Sequence, residues 1–307
     1  MDELARITGG NDMTSRILLL GKNGQVGWEL QRALAPLGHI DAHDRHSCDL
    51  SDLAALEATV AATAPDIIVN AAAYTAVDRA EQEPELAQRI NTEAVAVLAA
   101  AARRGKALLV HYSTDYVFDG ANARAYIEND ATNPQSVYGA SKRAGEIAVA
   151  QSGCDHLILR TCWVFAARGA NFAKTMLRLA RERDQLRVVA DQWGAPTSAE
   201  LIADVTAHTL KDLAYARTAT GTYHLAAEGE TSWHQYANYV LELAQAGGLP
   251  LKTRSAEAIA TTDYPTLARR PASSRLNTEK LRSTFDLHLP SWRKGVERLL
   301  TELLETP

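Results

Sequence analysis

The chain has 307 residues, 46% hydrophobic and 22% charged, enough to bury a core in one large domain or two modest ones. A formal charge of −5 and a pI near 6.0 leave no basic footprint for nucleic acid or anionic lipid. Cys48, Cys154 and Cys162 lack Cys-x-x-Cys or paired Cys/His spacing, so neither a disulfide nor a zinc framework is expected, and a reducing cytoplasm fits.

Residues 1–15, MDELARITGGNDMTS, lack the basic and apolar regions of a signal peptide and read as a short disordered tail, with Met13 as an alternative start. No apolar stretch has the length to cross a bilayer. RILLL then reads as a buried strand, GKNGQVG as a turn and WELQRALAPL as the helix that follows. Gly21, Gly24 and Gly27, spaced by threes, allow a tight turn, a close approach to a pyrophosphate and packing of helix on strand. The helix N-terminus then faces the phosphates. HIDAH is a second strand leading to Asp44, close to the roughly 20-residue offset at which a carboxylate receives an adenosine ribose. A lone glycine triad is ordinary turn chemistry; this order of strand, turn, helix and acid points to dinucleotide binding.

Further on, PDIIVN, an alanine-rich helix after Pro84, KALLVHYS, a helix carrying Tyr138, HLILR and LRVVA alternate strand with helix. That winding predicts a parallel sheet covered by helices on both faces, with ligands at the C-terminal ends of its strands. The alanines from Ala94 to Ala102 are expected to pack closely on the sheet. From about Arg160 the loops lengthen, and DQWGAPT, GTYHLA and Pro265 to Pro271 interrupt the winding as a substrate-covering portion. The expected division is a tail over 1–15, a cofactor-binding domain mainly over 16–160, and a smaller substrate-binding portion mainly over 161–307, with some segments returning to the first.

Tyr138 and Lys142, four apart in YGASK, share a helical face, and Ser113-Thr114 stands at the end of an apolar run. An ammonium beside the phenol would lower its pKa from the usual ~10 and make it a proton donor to a developing alkoxide. Taken alone, such a pair is commonly a solvated helix face. Trp163 likewise reads as a core aromatic, Asp49 in DLSD as a helix cap, and His111 inside an apolar run as a satisfied buried histidine.

Taken together, GKNGQVG, NAAAYTAVD, HYSTDYVFDG, YGASK, RTCWVF, NFAKTMLRLA, DQWGAPT and RRPASSRLNTEK resemble the extended short-chain dehydrogenases/reductases, and within them the dTDP-4-dehydrorhamnose reductase family, from about Arg16 to the C-terminus. The resemblance implies a Rossmann doubly wound sheet with a smaller C-terminal substrate-binding domain. It also implies reduction of the 4-keto group of dTDP-6-deoxy-L-lyxo-4-hexulose to dTDP-L-rhamnose with NADH or NADPH. Tyr138 would be the general acid, Lys142 would lower its pKa and hold the nicotinamide ribose, and Thr114 would bond the carbonyl oxygen. Gly21, Gly24, Gln25 and Val26 would take the pyrophosphate, Asp44 the adenosine ribose, Asp49 and Leu50 the adenine surroundings, and Ala72, Ala73, Tyr74 and Thr75 the middle of the cofactor. Asp115, Tyr116 and Trp163 would contact the sugar, with Asn171 near the diphosphate.

Cys162 departs from the family's small hydroxyl residue, and Phe165-Ala166-Ala167 from a more familiar tyrosine and glycine. The resemblance also implies a homodimer and a Mg2+ site from Glu29, Glu200 and Glu302, although three glutamates so far apart are ordinarily solvated charges. Three other functions stay open: a reductase giving the talose epimer, a non-catalytic nucleotide-binding regulatory subunit, and a purely structural oligomeric protein, which would not need the glycine loop or Asp44.

Overall fold

The structure, a computed structural model, describes residues 15–305. The tail expected over 1–15 and the start at Met13 therefore lie outside the described residues, except that Ser15 already belongs to the first strand.

Six strands form one parallel sheet, in the spatial order Gly38–His43, Ser15–Leu20, Ile67–Asn70, Leu108–Thr114, His156–Thr161 and Gly221–His224. Ile67–Asn70, Leu108–Thr114 and His156–Thr161 are buried at every residue, as a parallel sheet with both faces covered requires. Alternation along the strands decides which side chain meets which layer. Ile17, Leu19, Val69, Val110 and Leu157 pack with Leu30 and Leu34 of the Gln25–Leu34 helix, Ile202 and Val205 of Ala199–Leu210, and Leu281 and Phe285 of Glu279–Phe285. Leu18, Leu20, Ile68, Leu109 and Ile158 pack on the other face with Leu56 of Leu53–Thr63, Val149 of Val137–Ser152 and the Ala94–Gly105 helix. There Ala94, Ala99 and Ala102 are fully buried, the close packing their small side chains predict.

A smaller lobe has its own core, where Phe165, Leu177, Tyr236, Val240, Trp292, Val296 and Leu300 join the helices Phe172–Glu182, Trp233–Ala246 and Trp292–Glu305. Two local expectations change. LRVVA supplies Arg187–Val189, but this strand pairs with Glu257–Ile259 in a separate two-stranded sheet, where Val188 packs with Met176, Leu186 and Leu241. GTYHLA, expected as an interruption, supplies Gly221–His224, the edge strand of the central sheet beside His156–Thr161. Its glycine start and polar residues hide a strand whose Tyr223 and His224 are buried.

Strand order reverses between Ser15–Leu20 and Ile67–Asn70, whose partners lie on opposite sides. A crevice at the C-terminal ends of such strands is where α/β sheets take ligands.

Candidate active site

A cleft of about 750 Å³ opens there. Its first wall is the glycine turn. Gly21 and Lys22 donate their backbone N–H groups to the His43 carbonyl at 2.9 and 3.0 Å, which ties the turn to the neighbouring strand. The helix begins at Gln25 rather than Trp28, because Gly24 in extended backbone is its N-cap and no side chain caps it. Its first N–H groups therefore remain available for an anion. Gly27 lies inside this helix, where a Cβ would stand 2.0 Å from the Gly21 carbonyl oxygen, so only glycine lets helix and turn approach so closely.

Beyond the turn, Asp44 accepts from Asn23 Nδ2 at 2.7 Å and from the backbone of His46 and Ser47 at 3.0 and 3.1 Å. The Ser47 and His46 N–H groups hold its carboxyl below the ordinary range. Arg45 pairs with Asp49 at 3.3 Å while 75% of its side chain is exposed. Asp49 also accepts from the backbone of Ser51, and it is Asp52 that caps the Leu53–Thr63 helix. Leu50, Ala72, Ala73, Tyr74 and Thr75 complete this half of the cleft.

At the other end, the Val137–Ser152 helix, capped by Ser136, presents Tyr138 and Lys142 to the same cleft. Burial pushes the Tyr138 phenol up to about 12, against a hydrogen bond with Thr114. This corrects the expectation that Lys142 lowers it: Nζ of Lys142 turns instead to the Tyr112 carbonyl, 2.7 Å away. A buried ammonium needs an acceptor, and the strand beside it provides one. Burial brings Lys142 itself down to about 8, and Glu146 on the following turn opposes the shift. Thr114 accepts from Tyr116 N and donates to Asp115 Oδ1 at 2.9 Å. Burial raises Asp115 to about 6, and Tyr116 packs edge-on against Tyr138 with ring centroids 5.6 Å apart.

Ser113 Oγ, Asp115 Oδ2 and Thr161 Oγ1 are buried without a protein partner, and all three residues line the cleft. Adjacent orphaned polar atoms at strand ends suit a ligand rich in hydrogen-bonding groups. Trp163, held at φ 49°, stacks on Trp233 behind them. Cys162 lines the same wall and donates to the Ala195 carbonyl at 3.3 Å, whereas Phe165 belongs to the core of the small lobe.

Asn171 lies outside the cleft lining. It caps the Phe172–Glu182 helix and donates to Gln25 Oε1 at 3.1 Å, so it reaches the glycine turn through that side chain. Sequence reasoning missed Trp233 and Asn91. Trp233 opens a helix behind the Ser232 capping box in ETSWHQ, a readable start signal, yet nothing local ties it to Trp163. Asn91 sits in a π-helical turn, Arg89–Glu93, and bonds both Tyr74 and Ser141, bracing the two halves of the cleft.

The three glutamates do gather at one place. Arg298 Nε lies 3.0 Å from Glu200 and 3.3 Å from Glu302, and burial together with Glu302 and Glu29 raises Glu200 against the pull of Arg298. A guanidinium is therefore the countercharge, and among the described residues no group of three or more His, Cys, Asp and Glu is arranged to hold a metal ion. The donor set does not fit magnesium within one chain.

A glycine turn, an acid at the end of the second strand and a helix-borne tyrosine–lysine pair on a Rossmann sheet are the features of the extended short-chain dehydrogenase/reductase class. Comparison with known proteins narrows it. The family model described as RmlD substrate binding domain matches residues 15–305. The dTDP-4-dehydrorhamnose reductase of Escherichia coli K12 is 54% identical, with 94% of this chain and 98% of the relative covered; that of Burkholderia thailandensis is 50% identical, with 94% and 99% covered. A crystal structure of dTDP-4-dehydrorhamnose reductase from Bacillus anthracis, in complex with NADP, superposes with a TM-score of 0.85 at 35% identity, covering 94% of this chain and all of that one. The chain belongs to the dTDP-4-dehydrorhamnose reductase family.

Proposed function

We propose that this protein reduces the 4-keto group of dTDP-6-deoxy-L-lyxo-4-hexulose with NADH or NADPH, giving dTDP-L-rhamnose. The observation that carries the reading is Tyr138 beside Thr114 in a cleft that continues to an uncapped helix N-terminus and Asp44. The bound nicotinamide would supply the hydride. With its pKa at about 12, Tyr138 stays protonated at neutral pH and gives its proton to the oxygen that becomes an alkoxide. Thr114 holds that oxygen, and Lys142 holds the nicotinamide ribose.

Gly21, Gly24, Gln25 and Val26 would cradle the pyrophosphate, Asp44 the adenosine ribose, Asp49 and Leu50 the adenine, and Ala72, Ala73, Tyr74 and Thr75 the middle of the cofactor. Asp115, Tyr116 and Trp163 would take the sugar, and Asn171 would act near the diphosphate by way of Gln25. Residues 16–160 would thus form most of the cofactor half and 161–307 most of the substrate half. No step runs through magnesium. The dTDP handle is supported by what relatives at 50–54% identity are named for. A cytoplasmic homodimer belongs to the same reading; three free, buried cysteines suit a reducing compartment, and light scattering tests the dimer.

The test is to incubate the purified protein with the 4-keto-L-sugar nucleotide and each cofactor and to identify the product. A talo-configured product moves the protein to a sister activity. Bound cofactor without turnover leaves a regulatory subunit.

A further inference from the structure

Lys142 is 2% exposed, and its Nζ has two neighbours on the Leu108–Thr114 strand, the Tyr112 carbonyl at 2.7 Å and His111 Nε2 at 3.4 Å. His111 is fully buried, and its other ring nitrogen, Nδ1, lies 3.2 Å from Nδ2 of Asn70 on the adjacent strand. The roles of these atoms are set from the far end of the chain of contacts. Asn70 also meets the backbone N–H of Ala72 at 3.2 Å. That N–H can only donate, so the atom facing it is the amide oxygen, and the amide nitrogen faces His111. An amide nitrogen also only donates. His111 Nδ1 must accept, which puts the ring hydrogen on Nε2, toward Lys142. An ammonium has three donors and no lone pair and is repelled by such an N–H, whereas an uncharged amine accepts it.

We infer that His111, held in one tautomer by Asn70, is a positioning residue that keeps Lys142 on the Tyr112 carbonyl and stabilises its uncharged amine. Burial acts in the same direction on Lys142, and burial alone already favours the neutral ring of His111. The other titratable groups around the pair are committed elsewhere. Glu146 pulls Lys142 toward the ammonium but is bound by Arg160 and Arg143 at 2.8 and 3.1 Å. Tyr112 turns its hydroxyl to Thr206 at 2.7 Å, Asp115 acts on Tyr138, and the strand neighbours of His111 are Asn70 and Ile158.

The inference rests on the reductase reading for its purpose. Tyr138 loses a proton to the substrate oxygen and is left as phenolate. The balance closes when the Lys142 ammonium, whose Nζ faces Tyr112 rather than the phenol, passes one proton through solvent to that phenolate, leaving phenol and an amine that solvent later reprotonates. The amine is the species His111 holds.

Two-bond proton–nitrogen spectra of the 15N-histidine-labelled protein, with His111 assigned through its backbone, report the tautomer directly. A neutral ring protonated on Nε2 is expected at pH 7; hydrogen on Nδ1, or an imidazolium, overturns the inference whether or not the protein turns over. In His111→Gln the amide can turn its oxygen to an ammonium, so the basic limb of kcat/KM should rise by about one pH unit, the size of one hydrogen bond. A merely structural histidine would lower Tm and leave that limb in place, which also overturns the inference. If the variant does not fold, the spectrum of the unaltered protein still decides. If the unaltered protein reduces no dTDP-keto sugar, the reductase reading fails while the tautomer stands or falls on its own.

Discussion

Trp163 and Trp233 stack in the cleft wall with ring centroids 3.6 Å apart and planes 13° from parallel, joining the end of a sheet strand to a helix of the smaller lobe. Gly194 lies so close behind that a Cβ there would stand 2.6 Å from the Trp163 ring, so the indole has one place to go. A φ of 49° at Trp163 is a costly conformation for a bulky residue, the kind retained where a side chain must be aimed. Trp233→Ala removes the support without touching the glycine turn. KM for the dTDP-sugar should rise roughly 3–10-fold, the worth of an aromatic pair, with cofactor affinity unchanged in titration. An unaltered KM would show that the stack serves packing alone.

Tyr138→Phe should lower kcat by roughly 10²–10⁴-fold, the scale of losing a general acid, while NADH and NADPH bind as before. Steady-state rates and a cofactor titration on the same preparation check both halves. Near-normal turnover would mean that another group gives the proton.

Asp44 is fixed by Asn23, His46 and Ser47, and a carboxylate placed so accepts from ribose hydroxyls and repels a 2′-phosphate. Arg45, largely exposed beside it, can leave Asp49 for such a phosphate. Both cofactors should therefore work, and Asp44→Ala should shift the ratio of kcat/KM toward NADPH by about tenfold, one charge contact's worth. A ratio that stays constant removes Asp44 from the ribose site.

Asp115 offers a test by stability. Its carboxyl titrates at about 6 when folded, above the ordinary 3.8, because burial disfavours its charge. A raised folded pKa gives stability that is fully present below the unfolded value and is lost as pH rises through the folded one. At pH 7.5 the buried carboxylate is thus a liability. Asp115→Asn should gain about 2 kcal/mol there, a Tm rise of about 4 °C, and gain little at pH 4. Equal gains at both pH values would contradict this. On the proposed reading, in which the unpartnered Oδ2 takes a hydrogen bond from the sugar, reductase activity should fall even as stability rises.

The sheet was legible where apolar runs were continuous, as in ILLL and IIVN, because strands buried on both faces need no alternation. GTYH escaped detection for the opposite reason: it is short, begins with glycine, and owes its place to partners across the sheet. LRVVA has a strand's composition, but composition does not say which sheet a strand joins. In the site, local spacing found the glycine turn and Tyr138 with Lys142. It could not find Trp233 or Asn91, whose roles depend on contacts distant in the chain, nor the direction of the Tyr138 shift, which burial decides.

The edge strand Gly221–His224 has a consequence for how the protein is made. Its partner His156–Thr161 leaves the ribosome long before it, and Leu281 and Phe285, from a still later helix, fill the same core as Ile17 and Leu19. The nascent cofactor half must therefore wait with an open strand edge and an uncovered apolar face until nearly the whole chain is synthesised. Pairings so distant in sequence form slowly, and an exposed edge invites association with other chains. Synthesis of this enzyme in the cell should depend on a holding chaperone during that interval, and release of the chain near residue 160 should yield an aggregating fragment instead of a small nucleotide-binding protein.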